Sequence, residues 1–353
     1  EKIASEIKKL IVTIIDSKID EQVKSFCARV GKDSMLVQGA GGNVSWKEGR
    51  VLWVKASGTC LADAKDKNIF VPIQLEHLRQ AIVNQDFQVT PKVFSNSKLK
   101  PSIETLLHAL MPHKVVVHLH AIEILAHLVR ANPIPDLKKL LDDTISWSLV
   151  DYHKPGEELA KAVAANLLDK PDNDVIFLRN HGVVIGGSSV LDIEIILKKL
   201  MTILINPMTN NLGDVGNFKS TPILKLQDYI LTTDNEINKL ATSQDLSKRL
   251  KQEWVLYPDH AVFLGGLASI LGDSITLEKL EAMSNNKPAF VFDIGECVYE
   301  SLKATTAQKA QLRCYYDVLI RQPINEKLVS LSQDSIDELL DWDAEKYRQL
   351  QSE

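Results

Sequence analysis

The chain has 353 residues, of which 45% are hydrophobic and 25% charged, and a formal net charge of −5. That length and composition call for a globular protein with ample core, built as one large domain and a smaller one. The sequence has no basic run to mark a nucleic-acid surface and no apolar stretch of the ~18 residues a membrane helix needs, so neither partner is expected.

Residues 1–20 mix Lys, Glu and Asp among apolar positions, which predicts an amphipathic helix rather than a secretory signal. Cys27, Cys60, Cys297 and Cys314 are scattered and form no CxxC pair. They suggest a reduced, cytoplasmic protein without a disulfide framework or a thiolate metal site. Residues 39–45, GAGGNVS, form a turn whose backbone amides suit a phosphate. The turn lacks the last glycine of a dinucleotide fingerprint and follows no clear strand, so a nicotinamide site is rejected.

Residues 51–54, VLWV, read as a buried strand ending in the turn KASG, where Lys55, Ser57 and Gly58 are possible anion contacts. A helix is predicted over 102–110, with Pro101 and Ser102 as start residues and Glu104 in its first turn. An acid there compensates the helix dipole or, beside a metal, moves a proton. Residues 113–120, HKVVVHLH, form a second strand. Residues 174–187 form a third, broken at Asn180, His181 and Gly182, where Gly182 lets the backbone turn sharply. Helices are predicted over 157–168 and 191–204. Strands alternating with helices make an α/β domain, and periodicity alone does not decide whether its sheet is parallel.

Residues 206–222 are rich in Asn, Gly, Pro and Thr and read as a loop or domain junction. Beyond it, 254–266 and 289–299 are apolar strand candidates, 305–322 is a helix, GGLASILG near 265 is a loop, and the tail is an exposed helix. The expected division is a metal-binding domain at 1–210, a connecting segment at 211–245 and a small C-terminal α/β accessory domain at 246–353.

The chemistry centres on His118 and His120. Side chains two apart on a strand share a face, so both imidazoles converge on one point, as a metal site requires. The pair alone is equally a set of polar residues where a strand emerges, since a catalytic zinc takes three protein ligands. His181, at the break in another strand, is the third candidate, or else a turn histidine bonded to main chain.

Five segments, GGNVS, KASG, KPSIE, VVVHLH and RNHG, occur in the order and rough spacing of the class II aldolase/adducin family, which residues 20–205 resemble. The resemblance implies a three-layer α/β/α domain with a mainly antiparallel central sheet. It implies zinc or another divalent metal on His118, His120 and His181, with Glu104 as catalytic acid/base. It places phosphate binding on Asn43, Ser57, Gly58 and Ser102, with Gly42 and Lys55 beside them. The implied reaction cleaves or forms a carbon–carbon bond of a ketose 1-phosphate through a metal-stabilised enediolate, in a homo-oligomer such as the family's tetramers.

A sugar-phosphate 4-epimerase or dehydratase of the same fold is the enzymatic alternative, and a non-catalytic adducin-like module the other; the intact metal set favours an enzyme. YPDHAVFLG and LLDWDAEKYRQ resemble the aldolase part of bifunctional rhamnulose-phosphate aldolase/dehydrogenase proteins, whose dehydrogenase part has no counterpart in these residues. Two positions depart from the family pattern. Ile103 replaces a second serine and Ala40 a threonine, removing hydroxyl donors that the charge of Lys55 could offset.

Overall fold

A computed structural model describes residues 19–94, 98–141, 145–208, 228–283 and 287–351. The helix expected over 1–20 and the junction at 206–222 therefore lie largely outside the described residues. Residues 19–30 form helix α1. Among the described residues, no helix is long and apolar enough to cross a membrane.

The chain divides into two compact units. The first holds residues up to His120 together with Leu141–Leu178 and Gly182–Ile203; the second holds Ala121–Leu140, Arg179–His181 and residues from Leu204 onward. The first unit is built on strands β1 (Asn43–Glu48), β2 (Val51–Lys55), β3 (Phe70–Gln74), β4 (Val115–Leu119), β5 (Trp147–Val150), β6 (Val175–Leu178) and β7 (Gly182–Gly187). They form one sheet in the order β3-β2-β1-β4-β7-β6-β5. Every pairing is antiparallel except β5 with β6. The sheet is mainly antiparallel, as the family resemblance implied.

The central strands β4, β6 and β7 are buried at every position. Continuous apolar runs of this kind belong to strands covered on both faces. On one face, Val116, Ile176 and Val184 pack with Leu107 of α3 (Thr105–Leu110) and with Leu159 and Val163 of α6 (Glu157–Asp169). The neighbouring residues point the opposite way. There α7 (Val190–Ile203) lies so close that a Cβ on Gly187 would stand 3.2 Å from the Ile193 side chain. Helix α2 (Leu75–Val83) packs with α3 beside Leu52, Val54 and Ile73. Across β1 and β2, Trp46 and Trp53 are paired in register with rings stacked 5.6 Å apart.

The second unit contains α4 (Ile122–Leu128), α5 (Ile134–Leu141, all but its last residue) and α8 (Asn235–Thr242) to α14 (Asp343–Gln351), with a three-stranded sheet. That sheet has the order β8-β10-β9, from Tyr229–Leu231, Cys297–Ser301 and Phe290–Asp293.

Three sequence expectations are corrected in this unit. Residues 254–266 are not a strand: Pro258–Leu264 form α10. Pro258 takes a first-turn position where its missing N–H costs nothing, and Gly265 ends the helix at φ 84°. Residues 289–299 are two antiparallel strands turned at Gly295, whose φ is 88°. The tail is two helices, α13 (Gln333–Leu340) and α14, and Ile336, Leu339 and Glu345 within them are buried. The helix expected over 305–322 is α12 (Thr306–Leu319), opened by a capping box of Thr305 and Gln308.

Candidate metal and catalytic centre

β4 ends at Leu119, so His118 is the strand's last but one residue and His120 follows just beyond it. Strand alternation sends both imidazoles to one face. Their Nε2 atoms are 3.1 Å apart. His118 Nδ1–H donates to the carbonyl of Val183 at 3.1 Å, which fixes the tautomer and leaves Nε2 as the ligand atom.

His181 enters from the turn between β6 and β7, two strands of the same sheet, whose pairing reaches Leu178 and Gly182. The ligand nitrogens of His118, His120 and His181 all lie within 4.8 Å of one another, and the three residues are buried. Two metal–imidazole bonds of ~2.0–2.1 Å at a tetrahedral angle would put their nitrogens about 3.3 Å apart, close to the observed Nε2 pair. Three imidazoles are a donor set that suits zinc or another borderline divalent metal and leave a coordination position open.

The turn works differently from the expectation. Gly182 is not the residue in the left-handed region; Asn180 is, at φ 52°. Asn180 Nδ2 holds that conformation by donating to the carbonyls of Leu256 and Val329. Gly182 is needed for closeness instead. A Cβ there would fall 2.4 Å from the Leu119 carbonyl oxygen, 3.2 Å from the His120 ring and 3.3 Å from the His118 ring.

Glu104 does not sit inside the first turn of its helix. It is the residue before α3, because residues 101–104 form a bridge and turn first. Its carboxylate is buried and stands 3.6 Å from His118 Nε2. Ser102 holds this turn, accepting the Glu104 amide on Oγ at 3.2 Å and the Thr105 amide on its carbonyl at 3.1 Å. Asn43, the first residue of β1, donates its side-chain amide to Ser102 Oγ.

The remaining sequence candidates gather around the same strand ends. Gly42, at φ 68°, lies against the His118 carbonyl, where a Cβ would be 3.2 Å away. Lys55 is buried at the end of β2 and donates from Nζ to the Ala40 carbonyl at 3.1 Å. Ser57 and Gly58 occupy the following turn, which is tied to 100–102 through Ser57 N to Lys100 O (2.9 Å) and Ser102 N to Lys55 O (3.2 Å).

Two residues that the sequence did not single out also support the centre. Gln38 is buried and its amide donates to the His120 carbonyl at 3.4 Å. His108, on α3, bonds Ser45 Oγ through Nδ1 at 2.8 Å. Burial, then the neighbouring His118, holds His108 well below the usual imidazole range, so it is a neutral packing residue. The helical apolar pattern around His108 marks it as a packed residue, as found, but no local pattern gives its bond to Ser45 or marks Gln38, since each of those contacts joins residues distant in the chain.

Comparison with known proteins gives the family of the chain. Residues 21–195 match the Class II Aldolase and Adducin N-terminal domain. L-fuculose phosphate aldolase of Methanocaldococcus jannaschii is 30% identical over 188 residues, covering 49% of this chain and 90% of that enzyme. The uncharacterized oxidoreductase YuxG of Bacillus subtilis is 30% identical over 176 residues, covering 45% of this chain. That match spans only 25% of YuxG's own length. Among solved structures, the N-terminal class II aldolase domain of a conserved protein from Thermoplasma acidophilum is 29% identical. It covers 52% of this chain and 89% of that domain, with a TM-score of 0.43. The chain belongs to the class II aldolase and adducin family.

Proposed function

We propose that the protein is a metal-dependent class II aldolase that makes or breaks a carbon–carbon bond of a ketose 1-phosphate. The observation that carries this reading is the buried cluster of His118, His120 and His181 with the Glu104 carboxylate 3.6 Å from His118 Nε2. His118, His120 and His181 would hold zinc or another divalent ion, which when bound supplies Lewis-acid polarisation of a carbonyl and stabilises charge on the neighbouring oxygen. Glu104 removes or returns the proton at the carbon next to that carbonyl. Asn43, Ser57, Gly58, Ser102 and the Gly42 backbone bind the phosphate. The Lys55 ammonium supplies positive charge beside Ala40, where this chain lacks the threonine hydroxyl of the family pattern. The resemblance to L-fuculose phosphate aldolase supports a sugar phosphate as substrate.

The domain that does this chemistry is assigned to 1–210, with 211–245 as connection and 246–353 as accessory domain. A homo-oligomer in the cytoplasm belongs to the same reading.

The test is to load the purified chain with zinc, measure metal per protein, and screen ketose 1-phosphates for release of dihydroxyacetone phosphate and an aldehyde. Glu104→Gln is expected to keep its metal and lose proton exchange on dihydroxyacetone phosphate. Epimerised or dehydrated products from the same panel would replace the aldolase reading with an epimerase or a dehydratase. Failure to bind zinc at all would favour an adducin-like module.

A further inference from the structure

Residues Arg179–His181 belong to the second compact unit, although β6 and β7 on either side of them belong to the first. The turn that carries the third imidazole of the candidate metal cluster is therefore part of the second unit. Its bonds show how it is held. The Asn180 amide donates to the Leu128 carbonyl at 3.3 Å, and Arg179 Nη2 donates to the carbonyls of Arg130 at 3.0 Å and Ala131 at 3.3 Å. Asn180 is buried, and its Nδ2 donates to the carbonyls of Leu256 at 2.9 Å and Val329 at 2.6 Å. One side-chain amide thus takes its position from two separate stretches of chain, 253–256 and 327–331.

Those stretches are tied to each other. Leu331 N donates to the Val255 carbonyl at 2.9 Å, and Leu328 N donates to Glu253 Oε1 at 3.1 Å. On its other side, 327–331 meets the end of α4: Ala131 N donates to the Lys327 carbonyl at 2.9 Å and Val329 N to the Val129 carbonyl at 2.8 Å. Glu253 is itself fixed by Arg249 of α9 (Gln244–Gln252) at 2.6 Å. The same guanidinium donates to the carbonyls of Pro323 and Glu326, both at 3.1 Å, and so anchors the approach to 327–331.

Val255 is fully buried at φ 53°, in the left-handed region that a β-branched residue enters only where its surroundings over-determine it. In that conformation its own carbonyl meets Leu331 and the next one, of Leu256, meets Asn180. Packing alone needs neither a valine held this way nor an amide shared between two main-chain stretches, and backbone strain gathers where exact placement serves a site. We propose that Glu253, Val255 and residues 327–331 are positioning residues for the metal centre. Through Asn180 they set where His181 stands, and with it the affinity and coordination geometry of the metal. The second unit then has the task of carrying the third ligand, an inference that rests on the metal reading above.

The experiment is titration of the full chain with cobalt(II) against a chelating buffer, reading the affinity and the visible absorption of the bound ion, which reports its coordination geometry. Circular dichroism confirms that each variant compared is folded. Asn180→Gly permits the left-handed turn but releases both stretches, and is expected to weaken cobalt about tenfold or more and to change its absorption. Glu253→Leu should weaken cobalt about fivefold, whereas Glu253→Gln still accepts the Leu328 amide and should stay within about twofold of the parent chain. Leu280→Ala lowers stability from a core cluster that includes none of these stretches, and should bind cobalt as the parent does. The inference is overturned if Asn180→Gly and Glu253→Leu both keep the parent's affinity and absorption, or if Leu280→Ala weakens cobalt as much as Glu253→Leu. Failure of the parent chain to bind cobalt would defeat the metal reading, and this inference with it.

Discussion

Asn43 and His118 stand directly opposite each other across β1 and β4. Asn43 donates to Ser102 Oγ, Ser102 Oγ accepts the Glu104 amide, and the Glu104 carboxylate returns to within 3.6 Å of His118. Four residues from three chain segments thus close a ring, and the acid is positioned by main-chain and side-chain bonds rather than by its helix.

Breaking this ring away from the histidines should therefore affect turnover more than metal content. Ser102→Ala is expected to leave zinc bound while lowering kcat for the substrate found in the screen by about tenfold or more, one to two hydrogen bonds' worth. Because Asn43 acts on Glu104 through the same hydroxyl, Asn43→Ala added to Ser102→Ala should cost less than the two losses combined. Full additivity in a double-mutant cycle would show that the two residues act separately.

Removing a ligand should have the opposite signature. His118→Ala and His181→Ala are each expected to weaken zinc by more than about 100-fold, beyond the loss typical of an outer-shell partner. Metal per protein after dialysis against a graded zinc buffer measures this. Retention of one zinc per chain in both variants would refute the three-histidine assignment.

Gly182→Ala places a methyl group 2.4 Å from the Leu119 carbonyl oxygen and 3.2 Å from the His120 ring. The nearest obstacle is backbone, which cannot rotate away, so a loss on the order of 3 kcal/mol is expected together with weakened zinc. Asn180 tests the other half of the turn. Asn180→Gly keeps the left-handed conformation and loses only the bonds to Leu256 and Val329, so it should be less destabilised than Asn180→Ala, which also bears the strain of φ 52°. Chemical denaturation of the three variants reads both comparisons.

His260 carries a prediction about pH. It is fully buried among the rings of Trp254, Tyr257 and Tyr315, and among the described residues neither of its ring nitrogens has a hydrogen-bond partner. Burial lowers its pKa from 6.5 to about 3. Between those values the unfolded chain binds more protons than the folded one, so the stability this residue allows is complete above pH 6.5 and lost progressively as pH falls toward 3. The loss is on the order of several kcal/mol at its limit. His260→Phe has no such titration and no hydrogen bond to give up. It should match the parent protein at pH 8 within about 1.5 kcal/mol and be the more stable of the two at pH 4. Equal acid sensitivity in both proteins would sink the argument.

Much of the site was legible in local chemistry. The period of a strand is enough to align His118 with His120, and a glycine after His181 in an apolar run marks a break in a strand. The order of five short segments adds the family. Other readings went astray where two local signals competed. The apolar run at 254–266 looked like a strand, but Pro258 and Gly265 punctuate a helix, and that punctuation outweighed hydrophobicity. Pro101 and Ser102 looked like a helix start, yet Ala56 pairs with Pro101 and draws 100–102 alongside β2, so the helix begins only at Thr105 and Glu104 is left at its threshold.

The sequence by itself determined which side chains share a face, which elements a glycine or proline interrupts, and the family to which those segments belong, because these follow from chain geometry over a few residues. Only the tertiary structure decided that Val183 fixes the tautomer of His118, that Gly182 yields space to Leu119 while Asn180 makes the turn, and that Asn43 reaches Glu104 through Ser102. Each of those relationships joins residues from different strands or loops. Their strength depends on separations of a few tenths of an ångström, which no local pattern encodes.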